Sequence, residues 1–104
     1  DTVALAQKYG TPLYVFSENA IVSECNQLKA AFTNRYPNTR VAYASKAFST
    51  LAMYKIMARE GFCIDVVSGG ELYTAIQADF PAEHIEFNGN NKSGFRLWCR
   101  ADYR

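Results

Sequence analysis

Lys46 stands just past a short apolar run, Val41-Ala42-Tyr43-Ala44, and Phe48, Ser49 and Thr50 lead from it into a helical pattern. A strand that delivers a lysine into a strand-to-helix loop puts an amine where α/β proteins gather their active-site groups. Desolvation there lowers the lysine pKa, and a neutral amine forms a Schiff base with an aldehyde cofactor or a carbonyl substrate. The residues alone leave two readings: a solvated lysine at a strand end, which is the commoner case, and a nucleophilic amine. Metal chemistry has less to stand on. Cys25, Cys63 and Cys99 match no metal-site spacing. Cys25 falls on the apolar stripe of a helix and Cys63 just precedes an apolar strand, so both read as buried thiols. His84, the one histidine, follows Pro81 in a loop and reads as a surface or packing residue.

Positioning Lys46 requires strands and helices in alternation. Leu5 to Tyr9 reads as a short helix stopped by Gly10 and Pro12, and Leu13-Tyr14-Val15-Phe16 as a strand. Ser17 is placed to cap a helix with Glu18 in its first turn, and Ile21, Cys25, Leu28 and Phe32 form its core-facing stripe. After the strand Val41 to Ala44, a helix presents Leu51, Tyr54 and Ala58, with Met53 and Met57 as core filler, and stops at Gly61. The strand Ile64 to Val67 leads through Ser68-Gly69-Gly70, an N-cap and tight turn, into a helix bearing Leu72, Ala75, Ile76 and Phe80. Pro81 closes that helix, and Ile85-Glu86-Phe87 is a further strand.

One helix between each pair of strands is a run of βα units, which build a parallel sheet with right-handed crossovers. The strand at Val41–Ala44 is expected to be central, flanked by those at Ile64–Val67 and Ile85–Phe87. Leu51, Tyr54, Val66, Leu72, Ile76 and Phe87 are expected among the packed residues. A closed (β/α)8 barrel needs about 200 residues or more, so this α/β chain reads as part of a TIM barrel: about three βα units preceded by a helix and a strand.

The 104 residues are 49% hydrophobic with a formal net charge of +1, which describes a globular segment. Lysines and arginines are scattered, so nucleic acid is not an expected partner. There is no long uncharged apolar run and no signal-peptide layout, so no membrane partner is expected and the compartment reads as cytoplasmic. The chain opens on Asp1 rather than Met, so its natural start is expected elsewhere.

Four blocks in order carry a resemblance. They are Leu5-Ala6-Gln7-Lys8-Tyr9-Gly10-Thr11-Pro12-Leu13-Tyr14-Val15, Val41-Ala42-Tyr43-Ala44-Ser45-Lys46-Ala47, Asp65-Val66-Val67-Ser68-Gly69-Gly70-Glu71-Leu72, and Phe87-Asn88-Gly89-Asn90-Asn91-Lys92-Ser93. With them the chain resembles the N-terminal part of diaminopimelate decarboxylases, among the pyridoxal-phosphate enzymes of the alanine-racemase-like barrel fold. The resemblance implies a carboxy-lyase acting in lysine biosynthesis, converting meso-2,6-diaminopimelate to L-lysine and CO2, homodimeric when intact. It implies that Lys46 is catalytic and joins pyridoxal 5'-phosphate through its amine, and that the cofactor absorbs the electrons released when carboxylate leaves. Asp65 matches an acidic residue close to cofactor and lysine, where it would stabilise a protonated nitrogen; a helix-capping or solvated carboxylate is its other reading. Tyr43 and Ala44 are implied to line the cofactor site. Ser68 with its glycines is read as structural, because the family holds the phosphate on a glycine-rich loop further along, and Lys92 is read as a surface or packing residue. Ornithine or arginine decarboxylases of the same fold are the nearest alternative, and a non-catalytic truncated product is another. The Ser68–Leu72 and Gly89–Lys92 blocks favour the diaminopimelate type.

Two departures stand beside the match. Asn88 takes a place where many relatives have His, and the resemblance of residues 1–93, the cofactor-barrel segment, stops at Ser93. Residues 94–104 set Phe95, Leu97 and Trp98 beside three arginines without periodicity. Codons for Phe95 to Arg104 read one base out of frame are able to spell DYGVGRIIV, which looks like the family's approach to its fourth strand. Residues 94–104 are therefore expected to be a frameshifted tail, docked loosely on the core; coding DNA incompatible with that string would overturn this. The phosphate loop, the partner of the pyridine nitrogen and the substrate-binding residues have no counterpart here, and Cys99 does not match the family's dimer-interface cysteine. The 104-residue chain by itself is expected to be inactive.

Overall fold

The structure, a computed structural model, describes residues 1–89. All four α-helices of the described residues are opened by side-chain N-caps, Asp1, Ser17, Thr50 and Ser68. Helix α1 (Thr2–Tyr9) begins where the Asp1 carboxylate accepts a hydrogen bond from the Val3 amide at 2.9 Å, three residues earlier than periodicity suggests. Helix α2 (Glu18–Leu28) is capped by Ser17, has Glu18 in its first turn, and widens into a π-type turn over Lys29–Thr33. After strand β1 (Ala42–Ala44), Thr50 caps helix α3 (Leu51–Arg59). Gly61, at φ 76°, takes the left-handed conformation that ends α3 and lets the Phe62 amide turn back to the Met57 carbonyl at 3.0 Å. Strand β2 (Cys63–Val66), helix α4 (Gly69–Gln77) and strand β3 (Ile85–Phe87) follow.

The three strands pair in parallel in the order β1-β2-β3. Tyr43, Ile64 and Ile85 stand in register on one face, and Ala44, Asp65 and Glu86 on the other, because neighbours along a strand alternate sides. Helices α3 and α4 cover the first face. Tyr54 and Met57 from α3, Leu72 and Ala75 from α4, and Phe80 close over Ile64 and Val66, with Tyr43, Ile85 and Phe87 half-buried at the margins. Each fully buried aliphatic or aromatic side chain there contributes about 1.5–3 kcal/mol through removal from water. Among the described residues, no helix is long and apolar enough to cross a membrane.

The observed architecture corrects four expectations. Strand β2, not β1, is central: each crossover carries the chain in the same direction, so spatial order follows sequence order. Val41–Ala44 is consequently no buried strand; it forms the sheet edge, with Ala42 and Ala44 exposed. Leu13–Phe16 forms no strand, since no neighbour among the described residues offers it a ladder; all four side chains are exposed, and Phe16 stacks on Phe48 at 4.3 Å. Of the stripe expected on α2, Cys25 is fully buried and Ile21 half-buried, while Leu28 and, in the π-type turn, Phe32 are exposed, as is Leu51 on the first turn of α3. The expectations placed on Lys92, Cys99, Trp98 and residues 94–104 lie outside the described residues.

Candidate active site

The C-terminal ends of the strands gather the groups with chemistry. Strand β1 runs into a single 3-10 turn, Ser45–Ala47, which presents Lys46 exposed at the sheet edge. Asp65 lies on the neighbouring strand, opposite Ala44 in the register and on the face away from Ile64 and Val66, which α3 and α4 cover. Ala44 is small and exposed, leaving room above the sheet beside Asp65.

The turn is held from both sides. Ser45 is fully buried, and its Oγ donates to the Asp65 carbonyl at 2.7 Å and to Glu71 Oε2 at 3.0 Å. One hydroxyl hydrogen serves two oxygen acceptors, and the shorter contact is to the carbonyl. The Ser45 carbonyl accepts from Ser49 Oγ at 2.5 Å and from the Phe48 amide at 3.1 Å. Tyr43 closes the turn from below, its hydroxyl donating to the Phe48 carbonyl at 3.1 Å. Burial, and then the neighbouring Tyr54 phenol, push the Tyr43 pKa up, so this hydroxyl is a fixed donor and not a base.

The end of β2 is equally constrained. Ser68 Oγ caps α4 at the Glu71 amide (3.2 Å), and Glu71 Oε2 accepts from the Val67 amide at 2.6 Å. Asn88 donates its amide to the Val66 carbonyl at 2.9 Å, and Gly89 approaches so closely that a Cβ there would meet the Val67 carbonyl at 3.3 Å. Against this web one oxygen at the strand ends stands out, as the Tyr54 hydroxyl does in the core. Asp65 Oδ1 is buried and has no hydrogen-bond partner among the described residues. An unsatisfied buried acceptor costs about 1–3 kcal/mol, more when charged, so this oxygen is placed for a donor that a bound molecule or a lysine ammonium would bring.

Lys46, Asp65, Tyr43 and Ala44 therefore fall at one end of two adjacent strands, as their positions in the sequence suggest. Ser68 acts as the structural cap expected of it. Ser45 and Glu71 are functional neighbours that the residue reading passed over. Their signal was the Ser68-Gly69-Gly70-Glu71 spacing, a capping-box pattern, whose glutamate here reaches Val67 and Ser45. Burial pushes the Cys25 and Cys63 thiols up, keeping both protonated and inert, and no cluster among the described residues is suited to a metal ion. An apolar cavity of about 400 Å³ lies beside the free edge of β1, lined by residues that include Ile21, Cys25, Leu28, Tyr43, Met53 and Met57.

Comparison with known proteins follows the same lines. Residues 18–99 match the family described as pyridoxal-dependent decarboxylase, pyridoxal binding domain. The chain is 51% identical over all 104 residues to the diaminopimelate decarboxylase of Bacillus subtilis, covering 24% of that protein. It is 55% identical over 97 residues to the one from Bacillus methanolicus, covering 93% of this chain and 22% of that one. Both the family match and the Bacillus subtilis match run past Ser93. Among solved structures, diaminopimelate decarboxylase from M. jannaschii in complex with L-lysine superposes with a TM-score of 0.90 at 41% identity, over 99% of this chain and 25% of that one. The chain thus spans about a quarter of the length of the relatives it matches.

Proposed function

The chain belongs to the pyridoxal-dependent decarboxylase family, as part of its pyridoxal binding domain, and from that premise we propose that it contributes the lysine end of the cofactor site in a diaminopimelate decarboxylase. The observation that carries the reading is that exposed Lys46 follows one strand while Asp65 Oδ1, buried and without a partner among the described residues, lies near the end of the next. The donor set fits pyridoxal phosphate: a primary amine to hold its aldehyde carbon, and a carboxylate to face the positive charge that such a linkage carries. When bound, the cofactor supplies an electron sink for the charge left as CO2 departs.

The chain's own residues perform four tasks in this reading. Lys46 would hold the cofactor through its amine. Asp65 favours the protonated state of the nitrogen beside it, an effect strengthened where water is excluded. Tyr43, kept protonated, ties the turn through Phe48, and Ala44 leaves space over the sheet. Diaminopimelate is the proposed substrate because relatives bearing that name match at 51% and 55% identity; the resemblance extends the proposal to a homodimer in the cytoplasm.

Disrupting the gene for this chain in its own organism tests the substrate. A lysine requirement with accumulation of diaminopimelate is expected. A polyamine requirement would shift the assignment to ornithine or arginine, and growth without either would leave a non-catalytic product.

A further inference from the structure

Resting on the reading of Lys46 as the cofactor-holding amine, we propose that Glu71 is a positioning residue for Lys46. By accepting hydrogen bonds from Ser45 Oγ and from the Val67 amide, its carboxylate locks the turn after β1 to the end of β2.

The geometry behind this is specific. Ser45 immediately precedes Lys46 and is fully buried, so where Ser45 is held decides where Lys46 emerges. The contacts on the Ser45 carbonyl, from Ser49 Oγ and the Phe48 amide, come from the same turn and its exit. They shape the turn without attaching it to anything else. The attachments outside it are the Asp65 carbonyl at 2.7 Å and Glu71 Oε2 at 3.0 Å. Glu71 belongs to the first turn of α4, where a glutamate in a capping box returns to the backbone amide of the N-cap. This one goes elsewhere: Oε2 takes the Val67 amide, one residue before the Ser68 cap, at 2.6 Å, and meets Ser45 as well.

One carboxylate oxygen thus joins three elements: the turn after β1, the end of β2 and the start of α4. Ordering a glutamate side chain in this way costs rotamer entropy that a solvated glutamate would not lose. The return is precision at Lys46. Its side chain is exposed, so its position is inherited from its backbone, and a shift of about 1 Å in a reacting group costs on the order of 10²-fold in rate. The carboxylate acts here by accepting hydrogen bonds. A glutamine amide oxygen in the same place would accept the same two.

The test uses two proteins. In the 104-residue chain, amide hydrogen exchange is read at Val67: Glu71→Ala is expected to lose protection there and Glu71→Gln to keep it. In a complete enzyme, residues 1–93 replace the matching segment of the Bacillus subtilis diaminopimelate decarboxylase, and pyridoxal phosphate affinity is measured with borohydride fixation mapped to individual lysines. Glu71→Ala is expected to weaken cofactor binding by about tenfold or more, the scale of losing a charge-assisted hydrogen bond. It should also lower fixation at Lys46, while Glu71→Gln restores both to within about threefold, because its amide oxygen remains an acceptor.

Ser45→Ala removes the turn's side of the contact and leaves the Val67 bond and the α4 cap in place. It should move affinity in the same direction, and it decides the matter if Glu71→Ala fails to fold. Unchanged cofactor affinity in Ser45→Ala and Glu71→Ala, or a Glu71→Gln variant as damaged as Glu71→Ala, would overturn the positioning role while leaving Lys46 in its assigned place. Absence of fixation at Lys46 with Glu71 intact would instead defeat the functional reading, and the positioning role with it.

Discussion

The two faces of the sheet differ in what their residues are asked to do. On one, Tyr43, Ile64, Val66, Ile85 and Phe87 meet the apolar sides of α3 and α4, and Ile64 and Val66 are completely removed from water. On the other, Ala44, Asp65 and Glu86 stand in a row, with a carboxylate oxygen of Asp65 buried and without a hydrogen-bond partner among the described residues. On the covered face strand pattern, caps and packing agree, and the Tyr54 hydroxyl is buried there without a hydrogen-bond partner among the described residues. The other face leaves a carboxylate oxygen, not a phenol, without such a partner, at the strand ends where Lys46 also stands. It is the unpaired carboxylate oxygen together with a lysine at the neighbouring strand end, and not the missing partner alone, that marks chemistry.

The contrast can be broken at either face. The largest effect is expected on activity. The 104-residue chain alone should release CO2 from meso-diaminopimelate at less than about a tenth of the rate of an intact relative, a difference of at least about 1.4 kcal/mol in barrier. Lys46→Ala in the grafted enzyme should lower turnover by about 10³ or more, equivalent to about 4 kcal/mol. Next comes the covered face: Ile64→Ala should cost about 2–5 kcal/mol in denaturant unfolding, since it opens a cavity beneath Tyr54 and Leu72. Asp65→Asn separates the faces. Stability should change by less than about 1 kcal/mol because the altered oxygen has nothing to lose, whereas cofactor affinity should fall by about tenfold.

The smallest effect is electrostatic. Hydrogen bonding from Lys29 at 2.8 Å, with its charge and that of Arg59, holds the Glu60 carboxyl below its ordinary value. A group depressed in the folded state stabilises fully above its unfolded pKa and loses that contribution as pH falls through the folded value. A modest acid-side loss of stability, starting just below the ordinary carboxylate range, is therefore expected, and Lys29→Met should flatten it.

Local signals carried most of the fold. Ser17 and Ser68 cap helices because a hydroxyl accepts an N2 or N3 amide wherever the chain enters a helix, and the βα alternation follows from short apolar runs between such caps. The spatial order of strands did not show in Val41–Ala44, whose apolar character suggests a centre. Placement depends on crossover direction, a property of the connections and not of the strand. Leu13–Phe16 carries strand-like residues, yet a strand exists only with a partner. Lys46 was legible because its strand-to-helix position is local. The contact of Ser45 with Glu71 spans 26 residues and three elements, so no window along the chain contains it.

The central claim is that Lys46, and no other amine here, holds the cofactor. Pyridoxal phosphate fixed by borohydride on the grafted enzyme and mapped by peptide mass spectrometry tests it directly. The graft brings in all five lysines of this chain, Lys8, Lys29, Lys46, Lys55 and Lys92. The account predicts that the fixed cofactor is found on Lys46 and is lost in Lys46→Ala; label spread evenly over the five, or persisting at full yield in Lys46→Ala, would contradict it.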